Sequence, residues 1–196
     1  MVPDVTALPD IDAAFAVAPG PDVAFLPYAR NEDGARPWAI PGTPGLAHRI
    51  GGLEKADLTG NISYDGANHA RMTALRAAKV DGIEIPPLEV DADPDASLLV
   101  LGWGSSQGAI RAAVRRVRLA GHRVACAHLR HLNPLPANTG DVLRSFDRVL
   151  VPEMNSGQLA QLLRARYLVD VESHSKVEGL PLFTGELEQA MLERIS

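Results

Sequence analysis

Gly102-Trp103-Gly104-Ser105-Ser106-Gln107-Gly108 is the stretch of this chain whose residue types and spacing come nearest to a chemical site. It follows a short apolar run and opens a helical pattern, the place where ligands bind in open α/β sheets. Three chemistries fit it in outline. Glycines at 102, 104 and 108 approximate a dinucleotide fingerprint, but the spacing is GxGxxxG rather than GxGxxG. The next strand also ends in His128-Leu129-Arg130, with no acidic residue for a ribose hydroxyl. Gly104-Ser105-Ser106-Gln107-Gly108 matches the nucleophile elbow GxSxG, and Ser106, Asp170 and His174 stand in hydrolase order. No oxyanion loop or earlier core strand precedes it, however. The third possibility is a loop that presents backbone amides at a helix N-terminus to an anion or a partner chain. The plainer alternative is a tight turn whose serines only cap a helix.

Six histidines raise the question of a metal. His128 and His131 are three apart, and Glu172 and His174 share one face of a possible strand. No HExxH is present, and the single cysteine, Cys126, sits in the apolar run Val124-Ala125-Cys126-Ala127. It reads as a small buried hydrophobe in a reducing compartment. One thiolate is too few for an iron–sulfur cluster, which takes about four. Asn61-Ile62-Ser63 is a glycosylation sequon without a visible secretory route, since Met1-Val2-Pro3-Asp4 opens no leader pattern. Asp91 to Asp95 lacks the spacing of a calcium loop. No catalytic residue and no metal site are expected.

The elements that must position the loop are legible from residue 97 onward. Leu98-Leu99-Val100-Leu101 is an unbroken apolar run, the mark of a strand covered on both faces. Ser105 or Ser106 would start a helix with apolar residues at Ile110, Ala113, Val114 and Val117, and Gly121 would end it. A second strand is expected over Arg123–His128, and a short helix from Asn138 or Thr139. A third strand at Val149–Val151 follows, then a helix from Ser156 with Leu159, Leu162 and Leu163. The pattern predicts a fourth strand over Tyr167–Val171 and a last helix from about Thr184 to Arg194. Strands alternating with helices imply a mostly parallel sheet with helices on both faces, so the fold class is α/β.

Upstream the chain is different. Eleven of its fifteen prolines precede residue 98, and residues 1–97 carry 7 Lys+Arg against 15 Asp+Glu, a net of −8. Residues 98–196 carry 12 against 9, a net of +3. The arginines at 111, 115, 116 and 118 fall on one predicted helix without interleaved aromatics, which reads as a solvated face rather than a nucleic-acid surface. Residues 1–60 hold Phe15, Phe25, Leu26, Tyr28, Trp38, Ile40 and Ile50, which are costly to leave in water, and read as an extended arm with aromatic anchors. A helix capped by Asp65 or Asn68 is expected over 65–81, within a connector at 61–97 that leads to the α/β domain at 98–196. No apolar run reaches the roughly 18 residues of a membrane span.

Several segments, taken together, resemble the alpha subunit of 2-oxoglutarate (2-oxoacid):ferredoxin oxidoreductases. They are Pro41-Gly42-Thr43-Pro44-Gly45, Gly51-Gly52-Leu53-Glu54, and Gly60-Asn61-Ile62-Ser63-Tyr64-Asp65 with Asn68-His69. They continue as Leu101-Gly102-Trp103-Gly104-Ser105, Leu129-Arg130-His131-Leu132-Asn133-Pro134 and Val151-Pro152-Glu153-Met154-Asn155-Ser156-Gly157-Gln158-Leu159. The resemblance covers only the C-terminal portion of such a subunit and implies a transketolase C-terminal-like domain. It implies thiamine diphosphate, magnesium, a [4Fe-4S] cluster and coenzyme A for the complete enzyme, none of them held by this chain. It also implies a beta subunit, ferredoxin reached through the complex, an oligomeric assembly and a cytoplasmic setting. The expected role is packing and subunit contact. Gly102, Gly104, Ser105, Ser106, Gly108 and Arg130 form the candidate anion or interface loop.

Overall fold

Four apolar residues in a row need cover on both sides, and Leu98–Leu101 receive it as the middle of a sheet. In the computed structural model, which describes residue 6, residues 15–20 and residues 22–195, all four are fully buried. The reading of Met1–Asp4 lies outside the described residues. The chain divides into two units, Met1–Ile83 and Glu84–Ser196. The division falls inside the stretch read as a connector, leaving its helix in the first unit and a short strand in the second.

The second unit carries β1 (Val90–Ala92), β2 (Leu98–Trp103), α2 (Gln107–Leu119), β3 (Ala125–Leu129) and α3 (Thr139–Arg144). It continues with β4 (Arg148–Glu153), α4 (Gln158–Tyr167), β5 (Val171–Ser175) and α5 (Thr184–Ile195). The helix of the first unit is α1 (Gly66–Asp81). The strands lie in the order β1-β3-β2-β4-β5. All neighbours are parallel except β1, which pairs antiparallel with β3 from Val90↔Ala127 to Ala92↔Ala125. Each face has its own core. Leu98, Val100 and Leu150 pack with Ile110, Val114 and Val117 of α2 and with Leu187 and Met191 of α5. On the other face Leu99, Leu101 and Val151 pack with Leu143 of α3 and Leu159 and Leu163 of α4.

Helix ends follow the residues. The α2 helix closes as the sequence pattern predicts. Gly121, at φ +90°, donates to Arg118 O at 2.9 Å and His122 donates to Val117 O at 3.2 Å, the paired bonds of a left-handed glycine stop. Asn138 stands at the N-cap of α3, as expected, but its side chain makes no bond to the helix. Its amide instead clasps Leu88, donating to Leu88 O at 3.0 Å and accepting from Leu88 N–H at 2.8 Å, which ties the approach to β1 onto the sheet.

The fourth strand differs from its expected place. Tyr167 ends α4, Leu168 turns in the left-handed region at φ 55°, and β5 runs from Val171 to Ser175. The apolar spacing of Tyr167, Leu168 and Val169 imitates a strand, yet Leu168 is 90% exposed. The true strand is an edge whose residues are mostly polar, because only one neighbour and one face need satisfying.

The first unit holds little core. Asp65 caps α1 by accepting from Ala67 and Asn68 N–H, and Met72 is the helix's buried residue. A polar knot does much of the work. Asp57 accepts from Arg30 Nη1 at 2.7 Å and from Arg71 Nε at 2.6 Å, and the buried Lys55 ammonium donates to Gly51 O and Leu53 O. Trp38, Ile50 and Tyr64 remain 69%, 84% and 88% exposed.

Candidate functional site

The sheet changes winding direction at β2. The connection from β2 runs through α2 on one face to β3, whereas β4 leads through α4 on the other face to β5. The crevice of an open α/β sheet therefore lies at the carboxyl ends of β2 and β4. These strands pair only from Leu98↔Arg148 to Val100↔Leu150, although both extend three residues further.

On the β2 side the glycine loop is built for close packing. A methyl group at Gly102 would stand 2.6 Å from Ile110 Cδ1 and 2.9 Å from His128 Nδ1, so only glycine lets the imidazole and α2 close over the strand. Gly104 turns at φ +58° into a 3-10 turn, Gly104–Ser106, that leads into α2. Ser106 is buried, and its hydroxyl donates to Trp103 O at 2.7 Å and accepts from Trp103 N–H at 3.2 Å. Asp170 pairs with Arg164 at 3.2 Å, just before β5 begins. No contact joins Ser106, Asp170 and His174 among the described residues, so the hydrolase order has no geometry behind it. Ser105 and Gly108 are exposed.

On the β4 side the helix N-terminus is already filled. Asn155 Oδ1 accepts from Gly157 and Gln158 N–H, both at 2.8 Å. The Glu153 carboxylate, 1% exposed, accepts from Leu159 N–H at 2.9 Å and Ala160 N–H at 3.1 Å. The free amides that normally make a helix start attractive to an anion are thus satisfied from within. Two residues of the run Val151–Leu159 do this, and the signal was readable: Glu and Asn two apart, just before a helix that starts after glycine.

Arg130 goes elsewhere. It lines a cavity of about 500 Å³ beside β1 and β3, with Arg111 and Gln107 of α2, His128 and His131. Gly102, Gly104, Ser105, Ser106 and Gly108 are not among its lining residues. Burial pushes the His128 imidazole below its ordinary value, and the nearby Arg111 and Arg130 guanidiniums add to this against a hydrogen bond with the Gly104 backbone. Burial, with Asp91 nearby, pushes the Cys126 thiol up, so it is an inert wall rather than a nucleophile. Arg111 was missed by sequence reasoning because it shares a helix with Arg115, Arg116 and Arg118, and nothing in the spacing singles it out. Among the described residues no group of three or more His, Cys, Asp or Glu could hold a metal ion.

Comparison with known proteins sets this geometry in a family. The chain is 57% identical over 189 residues to the 2-oxoglutarate oxidoreductase subunit KorA of Mycobacterium tuberculosis, covering 95% of this chain and 28% of that protein. The chain is homologous to 2-oxoacid:ferredoxin oxidoreductase alpha subunits. Subunit alpha of the Aeropyrum pernix 2-oxoacid:ferredoxin oxidoreductase 2 is 32% identical over 87% of the chain and 27% of its own length. A solved 2-oxoglutarate:ferredoxin oxidoreductase from Magnetococcus marinus, with 2-oxoglutarate, coenzyme A and succinyl-CoA bound, superposes with a TM-score of 0.79 at 28% identity. That likeness covers 91% of this chain and 32% of the other. A 125-residue stretch is also 37% identical to a xylulose kinase of Streptomyces coelicolor, covering 62% of this chain and 22% of the kinase. No protein-family model matches. The chain therefore spans under a third of the length of the relatives it matches. Its mostly parallel α/β fold agrees with the oxidoreductase structure.

Proposed function

We propose that this chain is the C-terminal, transketolase C-terminal-like part of the alpha subunit of a thiamine diphosphate-dependent 2-oxoglutarate:ferredoxin oxidoreductase. Such an enzyme decarboxylates a 2-oxoacid oxidatively, captures the acyl group on coenzyme A and passes electrons to ferredoxin. The observation that carries this reading is the 57% identity over almost the whole chain to less than a third of an oxidoreductase subunit. The kinase likeness covers less of the chain than the solved oxidoreductase does, 62% against 91%, and no phosphotransfer is carried over from it.

The residues present do not fit the complete enzyme's metal groups. The single cysteine is buried, too few for a cluster, and the described acidic residues and histidines form no metal-binding group. The chain's own part is structural. The glycine turn and the Glu153–Asn155 cap hold two strand ends in fixed register, and the exposed Trp38, Ile50 and Tyr64 suit contact with the remaining subunit or a beta subunit. Ferredoxin is reached through that assembly, in the cytoplasm. Among the described residues no helix is long and apolar enough to cross a membrane.

A chimera tests this. The chain replaces the homologous 189 residues of the mycobacterial relative, and 2-oxoglutarate- and coenzyme A-dependent reduction of a viologen dye is measured with the partner subunit present. The chimera should keep activity, while the chain alone, given thiamine diphosphate and magnesium, should show none. A chimera that assembles but is dead overturns the reading, as does turnover by the chain alone. The first result would favour a stand-alone nucleotide- or anion-binding protein using the Gly102–Gly108 loop.

A further inference from the structure

We propose that the cavity lined by Arg111 and Arg130 binds a small molecule carrying a phosphate or diphosphate on an apolar body. The inference stands apart from the oxidoreductase reading, since it concerns a site held wholly by residues 84–195.

Its strongest support is the pairing of charges around it. Most arginines of this unit are spoken for. Arg118 meets Asp91 at 3.1 Å and Asp93 at 2.9 Å, Arg123 meets Asp95, Arg148 and Arg194 share Glu172, and Arg164 meets Asp170. Arg111 and Arg130 have neither a carboxylate nor a hydrogen-bond partner among the described residues, yet both reach the same cavity from different elements. Arg111 and Arg130 are both exposed residues that line one space, and their planar forks match phosphate oxygens two at a time. Of the two carboxylates on the wall, Asp91 is neutralised by Arg118, which leaves Glu89 alone against two arginines.

The imidazole that lines the same cavity is consistent with this. His128 packs against Gly102, and burial holds its protonation below the ordinary range, with both guanidiniums adding to this against a hydrogen bond with the Gly104 backbone. A phosphate would reverse that opposition and let His128 donate from both ring nitrogens. The space of about 500 Å³ is far larger than inorganic phosphate needs and lies in the usual range of small-molecule sites. Pro87, Val90 and Ile110 supply apolar wall beside the basic cluster. An anion with an apolar body uses both.

Calorimetric titration of the 196-residue chain with ADP, inorganic diphosphate, inorganic phosphate and adenosine tests the site. ADP should bind most tightly, diphosphate more tightly than phosphate, and adenosine not at all. Arg111→Gln and Arg130→Gln should each weaken ADP about ten-fold or more, the usual scale for losing a charge-assisted hydrogen bond. Arg115→Gln, exposed on the same helix and outside the cavity, should change it less than about two-fold. In NMR titrations ADP should raise the pH at which the His128 imidazole protonates. Absence of heat with ADP and diphosphate at millimolar concentration overturns the proposal. So does equal weakening by Arg115→Gln, which would mean diffuse charge rather than a site, and so does adenosine binding as well as ADP. None of these results touches the chimera's turnover, so the two readings fail separately.

Discussion

Glu153 is a carboxylate with almost no access to water, and it survives burial because its charge faces the start of a helix. Leu159 and Ala160 donate to its two oxygens, and the N-terminal dipole of α4 adds to the attraction. Glu153→Gln keeps the shape but removes the charge and turns one acceptor into a donor facing a donor. The expected loss is about 2 kcal/mol, read as a lower urea midpoint with an unchanged slope. Glu172 shows the other way to keep a charge. Burial pushes its carboxyl up, but hydrogen bonds from Arg148 at 2.7 Å and Arg194 at 2.8 Å outweigh this and hold it below the ordinary carboxylate range. A lowered folded value means stability that is present above the ordinary glutamate range and lost as pH falls through the folded value. Arg148→Gln should therefore cost most stability near pH 7, with the loss shrinking as pH falls through the folded value, and should move the acid-unfolding midpoint to higher pH only as far as Glu172 is still ionised there. Unchanged stability near pH 7 would show that the pair contributes nothing.

At the scale of elements, the glycine turn and α2 work as one part. Gly102→Ala should cost about 1–3 kcal/mol by overpacking, because Ile110 and His128 must both retreat, whereas Gly108→Ala, with open space around it, should not destabilise the helix. Thermal melts of the two variants separate these outcomes. The same contrast explains what could be read from the residues. Leu98–Leu101 announced a buried strand, because full burial leaves no room for polar residues. The α2 helix announced itself through one apolar face and a glycine stop. β1 gave no such signal. It is three residues long inside an acidic, proline-rich stretch, and its identity depends on pairing with Cys126 across the chain rather than on Val90, Asp91 and Ala92 themselves. β5 was misplaced by four residues because an edge strand can be polar while a helix end can be apolar. Arg130 was legible as a charge beside the site. Its convergence with Arg111 was not, since only the packing of α2 on β3 brings them together.

For the whole molecule, the two units differ in what holds them. Residues 84–195 have two cores, one on each face of the sheet, while the first unit relies on Asp57, Lys55 and their polar partners. The chain between them, Gly82–Pro87, carries no helix or strand and is largely exposed. Limited proteolysis of the isolated chain should cut there first and leave a resistant fragment starting near Glu84, identified by mass spectrometry. Equal cutting throughout would mean the second unit has no independent stability. The Leu88–Asn138 clasp has a kinetic consequence. It joins residues 50 apart, so Leu88 is not tied down until the chain at Asn138 is in place, whereas β2, α2 and β3 are sequential neighbours. Assembly should begin around β2, α2 and β3, and the Leu88–Asn138 clasp, like the pairing of β2 with β4, should close late, because distant closures cost the most chain entropy before they return any contact. The basic cavity, which Leu88 helps to line, is then complete only once that clasp has closed.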